Sequence, residues 1–313
     1  MPGAEFVDVG VNALDSMFDG VYRGKRAHEG DIARVLRRAR SSGVRSIVVT
    51  AGTLEESRAA VALARGREKE GGEEPRVFAT CGTHPTRCGE FLSHEDGGAD
   101  GYMRALMTIA MDGKRTGDVV AIGELGLDYD RLEFCDAETQ RMFFEKQFAL
   151  SEATGLPLFL HMRAACDDFM TIVERNRHRF TAGVVHSFTG TAEEARRILA
   201  CDGLYIGLNG CSLKTEENLE VVRTIPLDRV VIETDAPWCG IKPTHAGHAF
   251  TTPLAEWSPP TKKEKYNPDR FVKDRCEPAQ IVYVAQIIAR VTSRAVEDVA
   301  RVTSANAARV FGV

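Results

Sequence analysis

Eight short apolar runs recur along this chain, each ending in polar or small residues. They are FVDVGVN (6–12), SIVVTAG (46–52), VFATCGTHP (77–85), VVAIGELGLD (119–128), PLFLHM (157–162), AGVVHSF (182–188), LYIGLNG (204–210) and VVIETDAP (230–237). They are rich in Val, Ile and Phe and lack strict polar alternation, as strands buried on both faces should. Helical patterns lie between them. DAETQRMFFEKQFALSEATG places Asp136 as an N-cap, Phe144 and Phe148 one turn apart and Gly155 as a stop. TAEEARRILACDG spaces Thr191 and Glu194 as a capping box, with Gly203 after the last turn. Strand then helix, eight times over, is the pattern of a parallel α/β fold. Eight units favour a closed (β/α)8 TIM barrel; an open doubly wound sheet is the alternative.

The length of 313 residues fits one such barrel over 1–313, with two breaks in its rhythm. SHEDGGADG (93–101) reads as a solvated loop. Residues 239–277 form a long irregular insertion after the eighth strand, rich in Pro and Lys. Seven Lys and Arg against five acids give this stretch a local charge of +2, while the whole chain carries −5. That balance excludes a global attraction to nucleic acid but leaves room for a local basic patch. A loop of this length inside a compact domain is usually functional or disordered.

The eight cysteines are scattered, without a C-x-x-C, which argues against a zinc module and for free thiols in a reducing compartment. MPGAEFVDVG lacks the basic start and apolar core of a signal peptide, and no stretch of 18 apolar residues occurs. The expectation is a nuclear or cytoplasmic enzyme, not secreted and without a membrane partner.

Polar residues stand at the C-terminal ends of the runs: Asn12, His84, Glu124 and Asp128, His161, His186, Asn209 and Asp235. In a barrel these ends converge on one face, where active sites sit. A single His there is more often a satisfied core residue, and Glu124 or Asp235 alone would pass for an ion-pair partner or a turn cap. Their coincidence points further. Buried ionisable groups are costly unless paired or bound to metal, and one divalent cation would neutralise this set.

GELGLDYD, FLHMR, VVHSFTG, GLNGCSLK and ETDAPW, in this order, resemble the TatD family of metal-dependent deoxyribonucleases. The resemblance runs from FVDVGVN to the terminal NAARVFGV. It is nearest the eukaryotic TatD-like branch through CGTHPTRCGEF, LNGCSLKTEENLEVV and ETDAPWCGIKPTHAG. It implies a TIM barrel of the metal-dependent hydrolase superfamily. It implies Glu124, His161, His186 and Asp235 as metal ligands, with Glu124 bridging where two metals bind. His84 would lie beside them and contact the phosphate or its attacking water. The implied activity is hydrolysis of DNA phosphodiester bonds, as a 3′→5′ exonuclease with possible endonuclease action, in DNA repair or degradation. The substrate would be single-stranded DNA or duplex ends, with Mg2+ the usual activator and Mn2+ or Zn2+ as alternatives.

Chemistry agrees with that assignment. Phosphodiester hydrolysis needs a nucleophilic water at neutral pH and stabilised phosphoryl oxygens, and a divalent metal supplies both. Asp235 is the candidate general base, with Glu124 and His84 completing the catalytic set. Arg163, two residues past His161, is a phosphate clamp or an ordinary surface arginine. Asn12 and Asn209 are candidate substrate contacts. In the 239–277 insertion Lys262, Lys263 and Lys265 could track a nucleic-acid backbone, while Trp238, His245 or Trp257 could stack on a base. Gly123 and Gly126 are expected to leave room beside the Glu124 carboxylate. Two other readings stand beside the nuclease: a hydrolase of cyclic amides or lactones on the same barrel, and a barrel that binds without catalysing.

The first run departs from the family pattern. Many relatives end strand 1 in His-x-His; aligned on Asp8, those positions are Gly10 and Asn12. Gly cannot ligate, and Asn offers one neutral oxygen suited to a hard cation. One firmly held metal and a second, weaker one are therefore expected.

Overall fold

The structure, a computed structural model, describes residues 3–67 and 72–313. Eight strands form one parallel sheet in chain order: β1 (Phe6–Val11), β2 (Val44–Val49), β3 (Arg76–Cys81), β4 (Val119–Asp128), β5 (Leu158–Arg163), β6 (Gly183–Val185), β7 (Leu204–Leu208) and β8 (Val230–Ile232). All eight fall on the apolar runs. The sheet closes where the Asp235 amide donates to the Gly10 carbonyl and the Asn12 amide to that of Ala236, both at 2.8 Å. The result is a (β/α)8 barrel. Ten α-helices cover it: α1 (Ile32–Ser41), α2 (Leu54–Arg65), α3 (Gly89–Ser93), α4 (Gly98–Thr116), α5 (Ala137–Thr154), α6 (Cys166–Arg175), α7 (Ala192–Ala200), α8 (Glu216–Thr224), α9 (Ile281–Val291) and α10 (Val296–Phe311). Among the described residues no helix is long and apolar enough to cross a membrane.

Local signals are realised as physical contacts. The Asp136 carboxylate accepts from Thr139 N at 2.9 Å and starts α5, and Gly155 ends it at φ +68°. Thr191 and Glu194 close both bonds of their capping box. SHEDGGADG departs from expectation. Only 94–97 is a turn, because α4 begins at Gly98 and Gly101 is already buried.

Two apolar layers form, as burial on both faces requires. The outer layer joins strands to helices. The inner layer fills the barrel with Val7, Val9, Val48, Phe78, Phe159 and Tyr205, among others, and Val310 and Phe311 of α10 pack into the same cluster. The Phe159 ring centroid lies 6.4 Å from that of Phe311 and 4.7 Å from that of His186. The inner layer thus runs from α10 up to the residues at the C-terminal mouth.

The stretch after β8 is irregular but fastened. Arg275, fully buried, meets both carboxylate oxygens of Asp31 at 2.7 Å and Glu277 at 2.8 Å. Arg38 adds a second bond to Glu277 at 2.8 Å. Trp257 packs edge-on to Phe271 and Tyr283, so it serves this packing and is not a free stacking platform. Trp238 is half exposed.

Candidate metal centre at the barrel mouth

Glu124, on β4, is the focus of the mouth. Its Oε1 lies 2.7 Å from Nδ1 of His161 on β5 and 2.7 Å from Nε2 of His186, just past β6. Those two nitrogens are 3.2 Å apart. His84, beyond β3, brings its Nε2 to 3.5 Å from the same oxygen. Each strand delivers one side chain, and parallel register makes them meet.

The far sides of the two imidazoles are also occupied by acids. His161 Nε2 faces Asp128 Oδ2 at 3.3 Å, and His186 Nδ1 faces Glu233 Oε1 at 3.5 Å. Neither approach is aligned as a hydrogen bond, so both nitrogens stay buried without a hydrogen-bond partner, as do Asp128 Oδ2 and Glu233 Oε2. Buried polar groups are normally satisfied, and orphans of this kind call for a missing ligand or charge. The donor set fits a divalent cation. One carboxylate oxygen and two imidazole nitrogens converge, and each imidazole is backed by a second carboxylate able to fix its tautomer.

The charge pattern separates the three histidines. Burial opposes a charge on His186, but Glu124 and Glu233 outweigh it and hold its pKa well above the ordinary value. Burial likewise opposes a charge on His161, and Asp128 and Glu124 raise it overall. Burial pushes Glu124 up, yet the surrounding imidazoles hold it well below the usual carboxylate range. His84 goes the other way, lowered to about 3 chiefly by burial. The Thr86 amide donates to its Nδ1 at 3.2 Å, which leaves the proton of a neutral ring on Nε2. His84, Glu124 and His161 bring possible ligand atoms within 4.8 Å of one another. In this tautomer, however, His84 Nε2 is a donor and not a ligand.

The family model for TatD related DNase matches residues 8–312. The chain belongs to the TatD family. It is similar to the Deoxyribonuclease Tat-D of Schizosaccharomyces pombe, with 42% identity over 94% of this chain and 91% of that protein. It is also similar to the 3'-5' ssDNA/RNA exonuclease TatD of Erwinia amylovora, 31% identical over 98% and 99%. Among solved structures, a TatD family hydrolase from Entamoeba histolytica superposes with a TM-score of 0.89 at 35% identity, covering 98% of both chains.

The remaining expected residues of this TatD chain divide. Asp235 ends the β8 run in a left-handed conformation, φ +53°, which a non-glycine residue adopts only when its surroundings hold it there. Its Oδ1 accepts from Asn12 Nδ2 at 2.7 Å and its Oδ2 from the Cys239 thiol at 3.2 Å. Burial pushes its pKa up to about 6. Asn12 Oδ1 accepts from the Thr50 hydroxyl at 2.9 Å, so both ends of its side chain are engaged and it orients Asp235. Asn209 is corrected more strongly. It is fully buried, donates to Glu233 and Ser187, and accepts from the Cys211 amide, which leaves nothing to meet a substrate. Arg163 is half exposed and paired with Asp130 at 2.8 Å. Lys262 is exposed, while Lys263 lies over the Tyr22 ring at 4.8 Å.

Two glycine expectations change. A Cβ at Gly123 would lie 2.3 Å from the Phe159 carbonyl, and one at Gly126 would lie 1.9 Å from that of His161. These glycines admit the neighbouring β5 backbone, not the Glu124 carboxylate. Gly10 has a different use. The register of β1 shifts between Asp8 and Val11. A Cβ at Gly10 would stand 2.8 Å from Glu233 Oε2. The empty position is filled by a carboxylate from the residue that follows β8.

Glu233 is the functional candidate that sequence reasoning passed over. It accepts from the Ser187 amide at 2.6 Å and Asn209 Nδ2 at 3.2 Å, and it faces His186. Its signal was available: it is an acid that directly follows the apolar residues 230–232, two positions before Asp235.

Proposed function

We propose that this chain is a divalent-metal-dependent deoxyribonuclease acting on single-stranded DNA and duplex ends. It removes nucleotides 3′→5′, with endonucleolytic cutting as a second mode, and its setting is DNA repair or degradation in the nucleus or cytosol. The observation that carries the reading is the convergence of His161 and His186 on one oxygen of Glu124, each imidazole backed by a further acid. The similarity to the Schizosaccharomyces deoxyribonuclease and the Erwinia ssDNA/RNA exonuclease supports DNA as the substrate.

Glu124, His161 and His186 would hold the cation, with Asp235 as the fourth ligand. Mg2+ is the proposed activator, at one firm site with a weaker second. A divalent ion there supplies a nucleophile at neutral pH and counter-charge for the phosphoryl oxygens. The chain's own residues do the rest. His84, neutral and protonated on Nε2, can donate to a phosphate oxygen or to the attacking water. Asp235, aimed by Asn12, is the proposed proton acceptor. Arg163, if released from Asp130, and Lys262 and Lys263 are the proposed contacts to the DNA backbone.

The test is a time course on end-labelled single- and double-stranded DNA with Mg2+, Mn2+ and Zn2+. Stepwise shortening from the 3′ end is expected, with none in Glu124→Ala. Cleavage retained in that variant would assign the activity to another protein and end the proposal.

A further inference from the structure

Cys211 and Cys239 stand on the turns that follow β7 and β8, and their sulfurs are 2.8 Å apart. The Cys239 thiol also donates to Asp235 Oδ2 at 3.2 Å. Both cysteines are partly exposed, as is Cys201, whereas Cys81, Cys88, Cys135, Cys166 and Cys276 are buried. The two turns touch through their backbones, since a Cβ at Gly210 would lie 1.9 Å from the Cys239 carbonyl. A disulfide needs sulfurs roughly 2.05 Å apart, so a closure of about 0.8 Å, shared by two loops, would form it.

We propose that Cys211 and Cys239 are a redox-active pair, which a peroxide converts to a disulfide that displaces Cys239 from Asp235 and weakens the metal centre. This rests on the reading of that centre given above. The chemistry balances without a further reagent. One thiol takes an oxygen atom from the peroxide as sulfenic acid, releasing water. The second thiol attacks that sulfur and expels a second water. Two thiols and one hydrogen peroxide give one disulfide and two waters, and a dithiol reverses it.

The consequence for the site follows from connectivity. Cys239 lies four residues after Asp235, and the Cys211 amide donates to Asn209, which holds Glu233. Closing the bridge removes the thiol donor from Asp235 Oδ2 and draws the two turns together. Displacements approaching 1 Å at reacting groups cost up to roughly 10²-fold in rate.

The experiment treats the full-length protein with graded hydrogen peroxide. Free thiols are counted by mass tagging, a non-reducing digest is mapped, and Mn2+ affinity and DNA hydrolysis are measured. The expected result is a linked Cys211–Cys239 peptide, a fall of two from eight free thiols, and a drop of about tenfold in Mn2+ affinity and rate that dithiothreitol reverses. Cys211→Ser and Cys211→Ala should keep the reduced activity and resist peroxide. The proposal is overturned if other thiols react while no linked peptide forms, if the bridge forms with Mn2+ affinity unaltered, or if the Cys211 variants are equally sensitive. Failure of the nuclease reading looks different: the untreated protein would leave DNA intact, while the linkage and Mn2+ measurements would still report on the pair.

Discussion

The two halves of the barrel mouth are built on opposite principles. On the β4–β6 side, Glu124, His161 and His186 crowd together while buried atoms of His161, His186 and Asp128 stay unpartnered. On the β8–β1 side Glu233 Oε2 is also left without a hydrogen-bond partner, but the groups around Asp235 are saturated. Asn12 joins Thr50 to Asp235, and Cys239 takes the other oxygen of Asp235. The first half is organised for a charge it does not supply itself. The second is a hydrogen-bonded frame that presents one aimed carboxylate. The missing side chain at Gly10 leaves room that Glu233 fills from across the barrel seam.

The most damaging change should fall in the unsaturated half. His161→Ala should lower Mn2+ affinity by calorimetry, and DNA hydrolysis with it, by at least about 10²-fold. Near-normal affinity would mean that the cation is held elsewhere. Next come the acids behind the imidazoles. Asp128→Asn and Glu233→Gln should each cost roughly 10- to 100-fold in metal affinity, the range of such outer partners. If Glu233→Gln proved silent, the assigned role of Gly10 would lose its purpose. The saturated half should respond differently. Asn12→Ala should lower the hydrolysis rate about tenfold, the worth of a bond to a charged acceptor, while metal affinity barely moves. Losing that donor also disfavours the ionised form of Asp235, so the acid limb of the pH–rate profile should shift upward.

A separate prediction, on stability and not on activity, concerns Asp8, buried on β1 beside Thr234 and raised to about 8 chiefly by burial. Its folded-state pKa lies above the unfolded value of 3.8, so the folded protein holds a proton that the unfolded chain releases. Stability from this group is therefore lost as pH rises from about 4 to about 8. Asp8→Asn keeps the shape and removes the proton. Urea midpoints at pH 5, 7 and 9 should fall less steeply in the variant, and parallel slopes would refute the assignment.

The barrel was legible because its signals are local. Val- and Ile-rich runs, the Asp136 cap and the Thr191 box each need only a few neighbouring residues. His84, Glu124, His161, His186 and Asp235 were legible as a group because parallel strands deliver their ends to one face. What stayed hidden depends on contacts across the sheet. Gly123 and Gly126 suggested space for a ligand, but the backbone of β5 occupies it. Asn209 looked like a substrate contact because its burial under Glu233 and Ser187 is fixed by partners some 20 residues away in the chain. Trp257 looked free because Phe271 and Tyr283 reach it only after the loop has folded back.

The ion cluster of Asp31, Arg38, Arg275 and Glu277 has a consequence for how a strand is received. Arg275 is enclosed and bonded to both acids, so the returning end of the long loop is moored to α1 before any ligand arrives. A wall that is already ordered takes no ordering entropy from binding. For the substrate proposed above, the polymer must then do the adapting, which favours a frayed end or an unpaired strand over an intact duplex.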